Sequence, residues 1–121
     1  MSNANKRRGD AYERRILTYA EASGFIEAFR GRAGQPLDEG DIWLDQIPGA
    51  IIQCKDVASP QWRAWLAELD EQKKNAGTDI GFLAVKRRGS GGRPPLDLAV
   101  MTVPDMLRIL YELKRLKGAV D

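Results

Sequence analysis

The sequence predicts one α/β domain: a mixed β-sheet of about five strands flanked by helices, in the order α-β-β-β-α-β-β-α. Three observations lead there. Apolar residues recur at helical spacing near the start, in the middle and at the end of the chain, and short β-type runs fill the intervals. The strand-helix-strand passage in the middle calls for a crossover, with an antiparallel hairpin beside it. The 121 residues suit a single core, and no repeat or linker divides residues 1–121.

Residues 6–23 read as the first helix. Tyr12, Ile16, Tyr19 and Ala20 share a face, Leu17 widens it, and Gly24 is a suitable terminator. "FIEAFR" (25–30) alternates like a strand. "GRAGQPLDEG" (31–40) has three glycines, a proline and no periodicity, and reads as a loop. "GDIWLDQIPGAIIQCKD" (40–56) reads as two short strands around a Pro-Gly turn. Ser59 is then an expected N-cap and Pro60 an expected first helical residue. Trp62, Trp65, Leu66 and Leu69 form the apolar face of this second helix, which ends near Asn75 and Gly77. "DIGFLAVKR" (79–87) is a buried-type strand, "GSGGRPP" (89–95) a loop, and "LDLAVMTV" (96–103) a strand with Leu96, Leu98 and Val100 on one face. A last helix over 104–117 is expected to bury Met106, Leu107, Leu110 and Leu113.

Composition narrows the chemistry. With no histidine, Ser-His-Asp triads and histidine bases are excluded. With one cysteine, Cys54, so are an internal disulfide and the usual zinc sites. No apolar run reaches the length of a membrane span and the N-terminus has no signal-peptide core, so a cytoplasmic location is expected. The net charge is only +2, but basic residues cluster at Lys6-Arg7-Arg8, Arg14-Arg15, Arg30 and Arg32, and Lys86-Arg87-Arg88. Brought to one face, they would suit phosphates.

The hairpin carries the most specific pattern. Phosphodiester hydrolysis with a hard divalent cation needs several oxygen ligands and a nearby cationic side chain. Positions i and i+2 of a strand supply two groups on one face, and Gln53 and Lys55 have that relation. Asp41, at the start of the neighbouring strand, is placed to complete the set, with Asp38, Glu39 and Asp56 as further carboxylates nearby. Register decides whether it does. A two-residue Pro48-Gly49 turn would pair Asp41 with Asp56 and point it away from Gln53. A loop over 45–49 would pair Asp41 with Gln53, and that register, or a bulge with the same effect, is the expectation.

"GDAYERRILTYAEASGF", "RGRAG", "GDIWL" and "IIQCKD" together resemble the PD-(D/E)xK nuclease superfamily, within it the archaeal-type Holliday junction resolvases and their phage relatives. Gly9, Glu13 and Arg14 match the family's first helix. Gly24, Phe25, Arg30 and Gly31 match its next strand and loop, Asp41-Ile42 its acidic strand start, and Gln53-Cys54-Lys55 its Glu-x-Lys. The motif matches cover the first half of the chain, and the second half agrees in element order. The resemblance implies a restriction-endonuclease-like fold and a Mg²⁺-dependent endonuclease, with Mn²⁺ as a substitute, that leaves a 5′-phosphate and a 3′-hydroxyl. It implies metal ligation by Asp41, the Gln53 amide oxygen, the Cys54 carbonyl and Glu13. Lys55 would orient the attacking water or stabilise the phosphate. The implied partners are branched or double-stranded DNA and a second copy in a homodimer. Lys6, Arg7, Arg8, Arg14, Arg30, Arg32, Lys86, Arg87 and Arg88 are the candidate DNA contacts. Gln53, a neutral amide in place of a carboxylate, leaves two alternatives open: a nuclease-fold DNA-binding protein with weakened or absent chemistry, and a nuclease of linear DNA.

Overall fold

The computed structural model describes residues 3–31, 37–47 and 49–120; Arg32 and the turn residue Pro48 lie outside them. Helix α1 (Asn3–Ala22) is followed by strands β1 (Phe29–Arg30), β2 (Ile42–Trp43) and β3 (Ala50–Lys55). Helix α2 (Trp62–Ala76), strands β4 (Ile80–Arg87) and β5 (Leu96–Val100) and helix α3 (Val103–Val120) complete the chain. The element order is the one expected. The five strands form one mixed sheet in the order β1-β2-β3-β4-β5. Only β3 and β4 run parallel, joined by the α2 crossover; the other pairings are antiparallel. No helix among the described residues is long and apolar enough to cross a membrane.

Alternation along β3 sends side chains to two cores. Ala50 and Ile52 pack with Tyr12, Ile16 and Ala20 of α1. Ile51 packs with Trp65 and Leu69 of α2 and with Leu83 and Val85 of β4. The pattern 65, 69, 72, 73 along α2 defines its buried stripe, and its last two members are Gln72 and Lys73. Lys73 lies across Gly81, where a Cβ would come within 3.1 Å of the lysine stem. Its ammonium reaches Asp105 at 3.0 Å and Asp70 at 3.3 Å. α2 ends, as expected, at Gly77, whose φ of 72° lets its N–H turn back to the carbonyls of Lys73 and Lys74.

Four expectations are corrected. "FIEAFR" is a strand only at Phe29–Arg30. Before that the chain turns, with the Ala28 N–H bonded to the Phe25 carbonyl and the Glu27 N–H to the Asp45 carboxylate. α2 begins at Trp62 after Gln61, not at Pro60, and Gln61 makes no side-chain cap. Trp62 is 40% exposed and meets Trp65 edge-on instead of joining the core. Most consequentially, the stripe of α3 expected to be buried is exposed: Met106, Leu107, Leu110 and Leu113 all face outward. Periodicity shows that a helix has an apolar face, not what covers it. α2 already covers β3 and β4 on that side of the sheet, and α3 is tied down chiefly through Asp105.

The Lys73 hydrogen bond holds the Asp105 carboxyl below the ordinary carboxylate range. A carboxylate with a lowered folded pKa stabilises the protein at neutral pH. The contribution is lost as pH falls below about 4. Asp105→Asn is expected to cost about 1–2 kcal/mol at pH 7, because the buried Lys73 keeps only the exposed Asp70 as partner. Urea denaturation measures it, and the difference from wild type should shrink as the pH is lowered toward 3.

Candidate active site

The chain enters β2 through Gly40, which is buried with φ +92°, and its N–H is bonded to the Asp38 carboxylate at 3.0 Å. Asp41 follows and is held on both sides. Its N–H donates to the Ile52 carbonyl at 3.0 Å, and its carbonyl accepts from Gly31 at 2.8 Å. Ile42 faces Ile52 and Trp43 faces Ile51. Leu44 bonds to Ala50, so the loop spans 45–49. This is the expected register; continued one residue beyond the Ile42–Ile52 pair it brings Asp41 to Gln53, with Lys55 two residues further along β3.

The Asp41 side chain turns onto β3, where its Oδ2 accepts the Cys54 N–H at 2.8 Å. Its pKa is pushed up to about 6, first by burial and then by the nearby Glu13 and Asp38 carboxylates; the Cys54 amide and Lys55 act in the opposite direction. A half-buried carboxylate with two like charges close by suits a cation. Opposite it, Gln53 Oε1 is buried and has no hydrogen-bond partner among the described residues. An orphaned amide oxygen costs free energy unless something donates or coordinates to it. Asp41, Gln53 and the Cys54 carbonyl are therefore fitting oxygen donors for a hard divalent ion. Among the described residues no three His, Cys, Asp or Glu side chains group to hold a metal, so such a site depends on amide and carbonyl oxygens. The Cys54 thiol lies against the α1 core, and burial pushes its pKa up, which makes it a packing group.

Glu13 reaches the site from α1, gripped by Arg30: its Oε1 accepts Arg30 Nη2 at 2.7 Å and Nε at 3.1 Å. Arg30 also bridges to Asp10 at 3.1 Å. Its charge is thus committed to holding Glu13 in place. Lys55 is fixed as firmly. Its ammonium donates to Glu68 at 2.9 Å and sits 5.4 Å from the centre of the Trp65 ring.

Two residues the sequence reading passed over hold the frame. Gln72, fully buried, donates to Asp38 Oδ2 at 2.9 Å, and Asn75 donates to the Asp38 carbonyl at 2.8 Å. α2 thereby clamps the segment that delivers Gly40 and Asp41. The signal was available: Gln72 stands seven residues after Trp65, on the apolar face of the helix, where a polar side chain needs a partner. Glu68, the partner of Lys55, had no such signal because it is exposed.

The basic candidates divide by position. Lys6, Arg7, Arg8 and Arg14 are exposed on α1, and Arg87 is exposed at the end of β4. Lys86 and Arg88 converge on Asp56, at 3.8 and 3.1 Å, and Asp56 has a nearly buried side chain. A groove of about 440 Å³ joins Arg8 and Gly9 of α1, Cys54 and Lys55 of β3, and Arg88. Two basic clusters distant in sequence thus meet at the Lys55 end of the site.

No protein-family model, no curated protein and no solved structure matches this chain.

A Cβ on Gly40 would stand 3.3 Å from Ile51 Cδ1 with the backbone in a region that L side chains rarely adopt. Gly40→Ala is expected to cost about 1–3 kcal/mol. Chemical denaturation reads the loss, and amide exchange should show weaker protection at Cys54, whose N–H depends on Asp41.

Proposed function

We propose that this chain is a metal-dependent DNA endonuclease that acts on branched DNA as a Holliday junction resolvase and yields a 5′-phosphate and a 3′-hydroxyl. The observation that carries the reading is the β2–β3 register, which brings Asp41 toward a buried Gln53 oxygen that has no partner among the described residues, with Lys55 near enough to act on Asp41. A divalent cation held by Asp41, Gln53 Oε1 and the Cys54 carbonyl, with Glu13 behind them, would polarise the scissile phosphate and lower the pKa of a water. The chain's own groups do the rest. The Cys54 N–H fixes the plane of the Asp41 carboxylate. Arg30 keeps Glu13 from turning away. Lys55, steadied by Glu68 and Trp65, presents an ammonium where charge develops on the phosphate. The groove between Arg8 and Arg88 leads the DNA backbone to it, with recognition through phosphates and shape.

A second reading is favoured by a specific observation. Gln53 brings no charge, and the Lys55 ammonium is already paired with Glu68. A protein that binds DNA without cutting it would tolerate both.

A synthetic four-way junction and a linear duplex, each with Mg²⁺, Mn²⁺ or chelator, separate the readings. Symmetric metal-dependent nicking of the junction is expected, reduced at least about a hundredfold in Asp41→Ala and in Lys55→Ala. Binding with no cutting in either metal would establish the second reading, and equal cutting of the duplex would remove the junction preference. Independently of activity, Mn²⁺ is expected to raise the melting temperature of the wild type but not of Asp41→Asn.

A further inference from the structure

Helix α1 is longer than the strand it packs on. Its 20 residues span about 30 Å, whereas the 6 of β3 span about 20 Å. Tyr12, Ile16 and Ala20 line the face that meets the sheet. Asn5, Arg8 and Gly9 continue that face toward the N-terminus, at the same three- and four-residue spacing. There the strand has run out. The overhanging turns instead look across the groove of about 440 Å³ toward the segment 56–58 and Arg88.

Gly9 sits in this overhang, and nothing in the fold asks for it. It stands in the interior of α1, where glycine is less stable than alanine. Its backbone is not in the left-handed region. Close packing does not require it either: beyond its own helical turn, a Cβ there would meet no described atom within 4 Å. Gly118 of α3 is equally open, but it lies two residues from the end of its helix, where helices fray. The remaining reason for Gly9 is a group from outside the chain that comes close to the helix.

Charge says what that group is. Arg88 and Lys86 share one carboxylate, Asp56, whose side chain is nearly buried. Arg8 donates to the neutral Asn5 side chain and forms no ion pair among the described residues. Three cations thus stand against one carboxylate, and the groove suits an anion. Guanidiniums on its two walls match the two free oxygens of a phosphodiester. A phosphodiester also carries a sugar on each side, which needs the room that a side chain at position 9 would fill.

We propose that this groove is a second phosphate subsite, in which Gly9 lets a DNA phosphodiester near the scissile one lie against the α1 backbone between Arg8 and Arg88. Gly9 is a positioning residue: it makes no bond, and its missing side chain sets how deep the strand sits. Cys54 and Lys55 line the same groove, so a phosphate held there fixes the register of the strand that crosses the proposed metal site. The inference rests on the nuclease reading for the identity of the anion.

Binding is read apart from cutting, by fluorescence anisotropy of a labelled four-way junction in chelator. Gly9→Ala is expected to weaken binding about tenfold and to lower the salt dependence by about one phosphate contact. Its urea midpoint should equal or exceed that of the wild type, because alanine is the better helix former. Gly118→Ala, the same change on α3, should leave binding unaltered. Arg8→Gln and Arg88→Gln should each weaken it. A Gly9→Ala protein that binds the junction like the wild type overturns the proposal. So does one whose urea midpoint falls, which would assign the glycine to the fold. Full displacement of the junction by millimolar inorganic phosphate, with ionic strength held by chloride, would assign the groove to a free anion and also overturn it. A wild type that binds no DNA removes the nuclease reading together with this one, so the wild type alone tells the two failures apart.

Discussion

The β2–β3 register is the constraint on which the rest of the site depends. Side chains along a strand alternate, so a slip of one residue would carry Asp41 to the opposite face of the sheet. Its backbone is bonded to Gly31 on one side and Ile52 on the other, and its carboxylate reaches across to Cys54. Three hydrogen bonds converge on one residue, and two of them tie it to β3. The five-residue loop between Leu44 and Ala50 permits this arrangement; a two-residue turn would not.

α2 has a double part in holding that register. Trp65 and Leu69 seal the core over β3 and β4. Gln72, from the same stripe, spends its amide on Asp38, and Asn75 adds a bond to the backbone there. The Gln72 amide nitrogen is satisfied by Asp38 and fixes the loop before Asp41, while its Oε1 is buried with no partner among the described residues. Trp65 also supports Lys55. The crossover helix thus bears on both ends of the site, Asp41 through its loop and Lys55 directly.

Charge is arranged as a set of local neutralisations. Arg30 answers Glu13 and Asp10, Lys55 answers Glu68, and Lys86 and Arg88 answer Asp56. The partly exposed pairs among them, Arg30–Asp10 and Lys55–Glu68, contribute little to stability, and a phosphate can exchange into them at small cost. Asp41 is the exception. It is half-buried and lies near the Glu13 and Asp38 carboxylates; burial first, and then those two charges, raise its pKa against the lowering effect of the Cys54 amide. The positive groups around the groove are therefore available to an anion, while the centre of the site attracts a cation.

By themselves, the local patterns of the sequence determined the element order, the alternation of β3, the stop at Gly77 and the candidate set of Asp41, Gln53 and Lys55, to which the family resemblance added Glu13. These follow from side-chain period and backbone preference, which act over a few residues. Tertiary structure decided the remainder. It cut "FIEAFR" to two paired residues, because the turn at 25–28 bonds to itself and to Asp45. It chose between two registers that residue types alone left open. It joined Arg8 to Arg88 in one groove and bound Arg30 to Glu13, contacts between residues too far apart in the chain for any period to relate them. It also left α3 uncovered, because an apolar stripe demands a partner without specifying which one, and the neighbouring sheet face was already taken by α2.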